Sequence, residues 1–280
     1  MKGFEFAPLV FGLSAAVFWG AGDFCGGVAT KSTQVYRVII SSQLVSSLLL
    51  VGLAIATHEP WPPPDQWLLA GVAGVIGALG MVALYSSLAM GQMGVAAPVS
   101  AVVAAGVPVV IGSFIEGPPG GSQLIGFGLA FAAVWFISRT EHGVIHLRDL
   151  SLPILAGLGF GTFYVLIGMA GQSTVWWPLV AARVGSLTAL FIVTSINRQP
   201  RLIEKRSLVL IILIGIFEVG GNACYILARQ AGRLDVAAVL ASLYPAVTVW
   251  LAWLFLKERM HRLQSIGVAA ALAAIVLITL

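Results

Sequence analysis

Glu218 stands in the middle of a long apolar run, with Asn222 and Tyr225 following at i+4 and i+7 and Gly215 preceding it by three. On a helix those positions share one face. A carboxyl, an amide and a phenol in one stripe beside a small residue read as the lining of a polar cavity. Such a stripe suits substrate binding or proton coupling; the alternative is a structural acid paired to a neighbouring helix. Gly220-Gly221 is expected to loosen the helix at that point. Arg183, inside the preceding apolar run, is the natural partner. At about 1.5 Å of rise per residue, Arg183 lies about 13 Å and Glu218 about 15 Å from the same face of the bilayer. An ion pair is therefore within reach, either as a gate or as a static tie. Asp23 and Arg37 fall near facing ends of the first two runs. They either pair there or anchor in the headgroup region. Trp19 lies one turn before Asp23, and Tyr164 sits at similar depth in the sixth run. Their rings offer faces on which a solute stacks, though packing alone accounts for them equally well. A charge inside a membrane span costs roughly 2.5–3.5 kcal/mol, so each of these groups needs a partner or a task.

The elements that carry them follow from composition. Of 280 residues, 59% are apolar and 9% are charged, and mean hydropathy is +0.99. An ordinary soluble domain carries about 25% charged residues, so soluble, disordered and disulfide-scaffold classes are excluded. The fold class is all-α, a polytopic membrane protein. About 20 apolar residues cross the bilayer core as a helix. Runs of that length predict ten spans near 8–29, 34–57, 66–90, 94–115, 121–138, 151–171, 174–196, 207–229, 235–256 and 262–280. The first run is too long for a signal peptide and is kept as a mature helix. Breaks such as His58 to Asp65 and Glu116 to Gly121 are rich in proline or glycine and cannot continue a helix. Tyr244-Pro245 should break the ninth span, and Pro98 and Pro108 should act similarly in the fourth, freeing carbonyls toward a cavity or merely kinking the helix. Gly71, Gly74, Gly77 and Gly80 recur every three residues, which lets a neighbouring helix approach closely.

The chain also looks doubled. Leu152-Pro153-Ile154 with Gly157-Leu158 repeats the pattern of Ala7-Pro8-Leu9 with Gly12-Leu13. Phe163-Tyr164 aligns with Phe18-Trp19, Arg183 with Arg37, Tyr225 with Tyr85, and Gln264 to Gly267 with Gln123 to Gly126. The matches keep their order at nearly constant offset, which divides the chain into 1–150 and 151–280. Each half holds five spans, and an odd number forces the halves into opposite orientations. Inverted repeats of this kind serve alternating access around a midplane site.

With Trp19-Gly20, Arg37, Pro98, Pro245 and Leu256-Lys257-Glu258-Arg259 in place, the whole chain resembles the EamA-type branch of the drug/metabolite transporter superfamily. That family usually shows Gly-Glu-Arg after spans four and nine. Here Lys257 replaces the glycine, and the fourth span is followed by Glu116-Gly117-Pro118. The resemblance implies ten helices and transport of small solutes, often export of metabolites or amino acids. It also implies termini inside the cytoplasm.

Charge points the other way. One side carries Lys31, Arg37, Arg139, Arg148, Arg198, Arg201, Lys205, Arg206, Lys257, Arg259 and Arg262, and the side of the termini carries Lys2, Arg229 and Arg233. A bias of 11 to 3 places both termini outside, because Lys and Arg collect on the cytoplasmic side.

Other chemistries find little support. Net charge is +4, but the basic residues are scattered in short loops, so nucleic acid is not a partner. Glu141, His142 and His146 lack the further ligands of a metal site. Cys25 and Cys224 lie at opposite depths, out of disulfide reach. No phosphate loop or nucleophile elbow is visible.

The expected function is a secondary transporter of small metabolites, amino acids or drug-like solutes in the cell membrane, most readily an exporter. Its cavity would be lined by Trp19, Asp23, Tyr164, Arg183, Glu218, Asn222, Tyr225 and Tyr244. Its partners would be the solute and the lipid bilayer, with a proton gradient or only the solute gradient as the energy source, no organic or metal cofactor, and a monomeric or homodimeric state. The rival reading is an intramembrane enzyme acting on lipid, for which Glu141, His142 and His146 are the available groups.

Overall fold

A computed structural model describes residues 6–30, 32–89, 93–137, 150–197, 207–256 and 262–279. Among the described residues the chain is helical, with no strand: α1 Phe6–Thr30, α2 Val35–Ala56, α3 Pro64–Ala89, α4 Met93–Ile115, α5 Gly121–Ile137, α6 Ser151–Ala170, α7 Trp176–Ile196, α8 Leu208–Ala231, α9 Leu234–Ala241, α10 Tyr244–Leu256 and α11 Arg262–Thr279. Hydrocarbon cannot hydrogen-bond to peptide groups, so apolar chain in a bilayer must satisfy its backbone internally, and helices do so. Seven described segments are long and apolar enough to cross a membrane: α1, α2, most of α3, α6, α7, α8, and α9 with α10 taken together. Shorter apolar stretches occupy α4, α5 and α11. The outside is apolar: Phe114 is 86% exposed and Leu48 77% exposed. In water such side chains would be a liability, whereas facing acyl chains they cost nothing. This is a multi-pass membrane protein.

Helix interfaces join α1 to α8, α3 to α6, α3 to α7, α2 to α8, α4 to α6, and α1 to the α9–α10 pair. Three more are α2 with α7, α4 with α9, and α5 with α11. Exchange the first five helices, in order, with α6, α7, α8, α9–α10 and α11. Each of these interfaces then maps onto another of them or onto itself. The two sets of helices therefore interlock about a pseudo-twofold axis rather than sitting side by side.

Small residues set the interhelix distances, as the glycine spacing in α3 predicts. A side chain on Gly74 would run into the backbone of Ala182 in α7, and one on Gly185 of α7 would run into the backbone of Gly71. Further along, an added Cβ on Gly159 of α6 would lie 2.9 Å from the Cα of Gly80. Gly20 is as tightly placed: its Cβ would lie 2.6 Å from the carbonyl oxygen of Tyr244, and Thr248 donates a 3.1 Å hydrogen bond to the Gly20 carbonyl.

One local expectation about breaks in the helices holds and two change. As Tyr244-Pro245 predicts, the ninth span is two helices, interrupted at Ser242-Leu243, because Pro245 has no N–H to continue the ladder. The fourth span, by contrast, runs unbroken through Pro98 and Pro108. Gly220-Gly221 does not loosen α8, which is continuous. These glycines make room for rings instead: added Cβ atoms there would strike Phe18 and Trp19.

The connections on the side of the termini are tied down. Glu59, between α2 and α3, accepts hydrogen bonds from the N–H groups of Val175, Trp176 and Trp177 at 2.6, 2.9 and 2.9 Å. Its carboxylate thereby caps the positive end of α7 from a distant loop. Trp61, Trp67 and Trp177 cluster beside it, with ring centroids 4.6–6.2 Å apart. Glu116 pairs with Arg229 at 2.8 Å and accepts the N–H of Leu234 at 3.1 Å, capping α9. Arg233 pairs with the fully buried Asp235 at 2.7 Å and donates to the carbonyl of Gly117 at 2.8 Å.

Candidate functional site

A cavity of about 170 Å³ lies between the two sets of helices, walled by α1, α2, α3, α6, α7 and α8, with Tyr244 at the start of α10. Its walls come from mid-helix positions such as Trp19, Tyr164, Ser186 and Glu218. They extend along Asp23 and Gly26 in α1 and Val38 in α2 toward the α1–α2 connection. The opposite end is where the Glu59 and Glu116 ties close the side of the termini.

Its charged groups come from three helices. Arg183 of α7 and Glu218 of α8 form an ion pair at 3.6 Å, with side chains only 10% and 18% exposed. The facing atoms, Arg183 Nη2 and Glu218 Oε2, are buried and make no hydrogen bond. The pair is thus electrostatic contact with hydrogen-bonding capacity left over on both sides. Asp23 is exposed, and it faces the cavity rather than the headgroups. Its carboxylate is close enough to that of Glu218 for the two to repel. Arg37 lies outside the cavity wall, half-buried near the start of α2.

Aromatic residues floor the site. Trp19 and Tyr164, matched positions in the two halves of the sequence, stack with centroids 5.2 Å apart and planes 12° from parallel. Tyr225 packs against both, at 5.8 and 5.1 Å. Tyr225 is a correction to the sequence reading: it is fully buried behind the wall and does not line the cavity. Its hydroxyl donates to the carbonyl of Tyr164 at 3.1 Å, so it supports the aromatic floor from behind. The sequence stripe placed it beside Glu218 because i+7 lies on the same face, but that face is broad enough to straddle cavity and core.

Of the other expected residues, Trp19, Asp23, Tyr164, Arg183, Glu218, Asn222 and Tyr244 all line the cavity. Residues that sequence inspection missed also do so. Gln43 of α2 accepts a hydrogen bond from Ser186 of α7 across the cavity wall. Ser42, Met81, Phe160 and Phe163 also line it. Gln43 is uncharged and sits in a run of serines and aliphatics, so only an eye for uncharged polar residues in spans would have found it. Glu141, His142 and His146 lie outside the described residues, as do most of the basic loop residues used in the charge count.

Comparison with known proteins agrees with this architecture. A crystal structure described only as that of a protein superposes with a TM-score of 0.81 over 98% of both chains at 13% identity, which shows a shared fold. The uncharacterized protein MJ1333.1 of Methanocaldococcus jannaschii is 28% identical over 131 residues, 47% of this chain and 94% of that one. That relative spans about one half of the present chain. The model of the EamA-like transporter family matches twice, over residues 7–139 and again over 149–280. A bundle of apolar helices around a charged central cavity, matched across both halves by that model, makes this chain a member of the EamA-like transporter family, a membrane transporter of the drug/metabolite type that works on small solutes in a lipid environment.

Proposed function

We propose that the protein is a secondary transporter that exports small metabolites, amino acids or drug-like solutes across the cytoplasmic membrane. The observation that carries this reading is the Arg183–Glu218 pair, mid-helix on a cavity wall and without a hydrogen bond between its facing atoms. Groups so costly in a bilayer, left with unused bonding capacity, are suited to a ligand that arrives and leaves. The halves 1–150 and 151–280 act as inverted five-helix repeats with ten crossings, and rock about the axis on which Trp19 meets Tyr164. The solute gradient, or protons taken up at the cavity carboxylates, supplies the drive, and the unit works as a monomer or homodimer.

The side of the termini faces outward. That side carries three of the basic loop residues against eleven on the opposite side, and Lys and Arg collect on the cytoplasmic side. With that orientation the cavity reaches toward the cytoplasm, the loading side for an exporter. A growth-rescue screen against toxic amino acids and metabolites, followed by flux of the rescuing compound in proteoliposomes, tests the reading. No flux of any rescuing compound would remove it.

A further inference from the structure

The proposed transport leaves the solute open, and the cavity's own charges narrow it; this step rests on that reading. Three of the lining side chains are acidic or basic: Asp23, Glu218 and Arg183. Arg183 faces Glu218 at 3.6 Å, which leaves Asp23 over, one basic group against two acidic ones. Among the described residues no basic side chain forms an ion pair with Asp23. Its carboxylate is exposed to the cavity and repelled by Glu218. A lone carboxylate in a low-dielectric pocket attracts a cation and rejects an anion. One turn before it on α1 stands Trp19, stacked on Tyr164, with Phe160 and Phe163 on the same wall. Aromatic faces next to a carboxylate are a standard setting for an organic ammonium, which gains from the ring quadrupole as well as the charge. The apolar remainder of the wall, including Met81 and Leu84, accommodates a hydrocarbon or aromatic tail. A cavity of about 170 Å³ falls below the roughly 300–1,000 Å³ of pockets that take drug-sized ligands, so the solute is small.

We infer that the cavity selects small organic amines in their ammonium form, bearing one apolar or aromatic group, with Asp23 as counter-ion and the Trp19–Tyr164 stack as platform. Arg183 holds Glu218 engaged, so a solute carboxylate meets more repulsion than attraction there.

The test uses the full chain in lipid nanodiscs and three probes that share a phenyl ring but differ in charge: 2-phenylethylamine, phenylalanine and phenylacetate. Calorimetry should rank the amine first and the acid last, with the amine about tenfold or more tighter than the acid. Asp23→Asn should weaken the amine about tenfold and flatten the ranking, while Asp23→Glu should keep it. Melting temperatures of both variants check that the fold persists, and the wild-type ranking stands even if Asp23→Asn fails to fold. Tightest binding of phenylalanine or phenylacetate, or no binding of the amine, overturns the inference. So does an unchanged amine affinity in a folded Asp23→Asn protein. Flux separates this from the transport reading. Amine that binds but is never carried in proteoliposomes removes transport and leaves the cation site. Phenylalanine flux untouched by Asp23→Asn removes the cation site and leaves transport.

Discussion

At the scale of single residues, Glu218 and Arg183 hold the argument. Each is mostly buried and each is the other's charge partner. Removing one partner of a buried pair strands the other, at a cost of about 3 kcal/mol. Glu218→Gln, expressed and inserted at normal levels, is therefore expected to lose transport, and measuring initial efflux rates in matched vesicles checks it. Undiminished efflux would mean that the acid is only a structural tie. Pairing itself is tested by reversal. Glu218→Arg and Arg183→Glu should each abolish efflux, and the double variant should recover a measurable part of it, because the attraction is restored with the sign exchanged. Failure of the double variant to improve on either single one would argue against a functional pair.

At the scale of elements, helix ends and helix contacts decide stability. Glu59 is the device that finishes α7: three N–H groups of its first turn point at one carboxylate from another loop. Glu59→Ala leaves those donors without a partner, and loss of about 1–2 kcal/mol is expected, in the range of lost helix caps. Thermal unfolding in detergent should show the drop, and an unchanged midpoint would mean that water replaces the carboxylate at no cost. On α3 the glycine row matters in a different way. Gly74 lies against the backbone of Ala182, which cannot rotate aside as a side chain can. Gly74→Ala should push α3 and α7 apart and destabilise by about 1–3 kcal/mol. Gly27→Ala is the control, since nothing lies within 4 Å of its added Cβ; equal melting of the two variants would refute the account.

At the scale of the whole molecule, one face is fastened and the cavity reaches toward the other. Glu116 joins the α4–α5 connection to Arg229 at the end of α8 and to the first N–H of α9. If alternating access opens this face, Glu116→Gln loosens the closed state and shifts the population toward the alternative one. Accessibility of a cysteine placed at the cavity, measured from the side of the termini, should then rise relative to wild type. Orientation has its own test. Gln172 and Ser32 are exposed at opposite ends of the bundle. With a membrane-impermeant maleimide on intact cells, Gln172→Cys should label and Ser32→Cys should not. The reverse pattern would place the termini inside.

Much of this molecule is legible in the chain because lipid imposes a simple rule: apolar runs of sufficient length become helices, and breakers end them. The predicted runs therefore agree closely with α1 to α8. Asp23, Arg183 and Glu218 stand out as charges in apolar runs, and rise per residue alone brings the last two to one depth. Rotation about each helix axis is another matter, since it depends on which neighbour wins each face. That is why Tyr225, sharing a stripe with Glu218, ends in the core behind Tyr164, and why Asp23 faces the cavity instead of the headgroups. Proline is likewise ambiguous in a single chain: α4 absorbs Pro98 and Pro108, whereas the chain breaks before Pro245, where Gly20 lets α1 meet the Tyr244 carbonyl. Gln43, Glu59 and Glu116 find their partners through helices far apart in the sequence. Local chemistry thus determined which segments enter the membrane and which charges go with them; only the tertiary packing, where small residues let distant helices touch, decided which of those charges share a cavity.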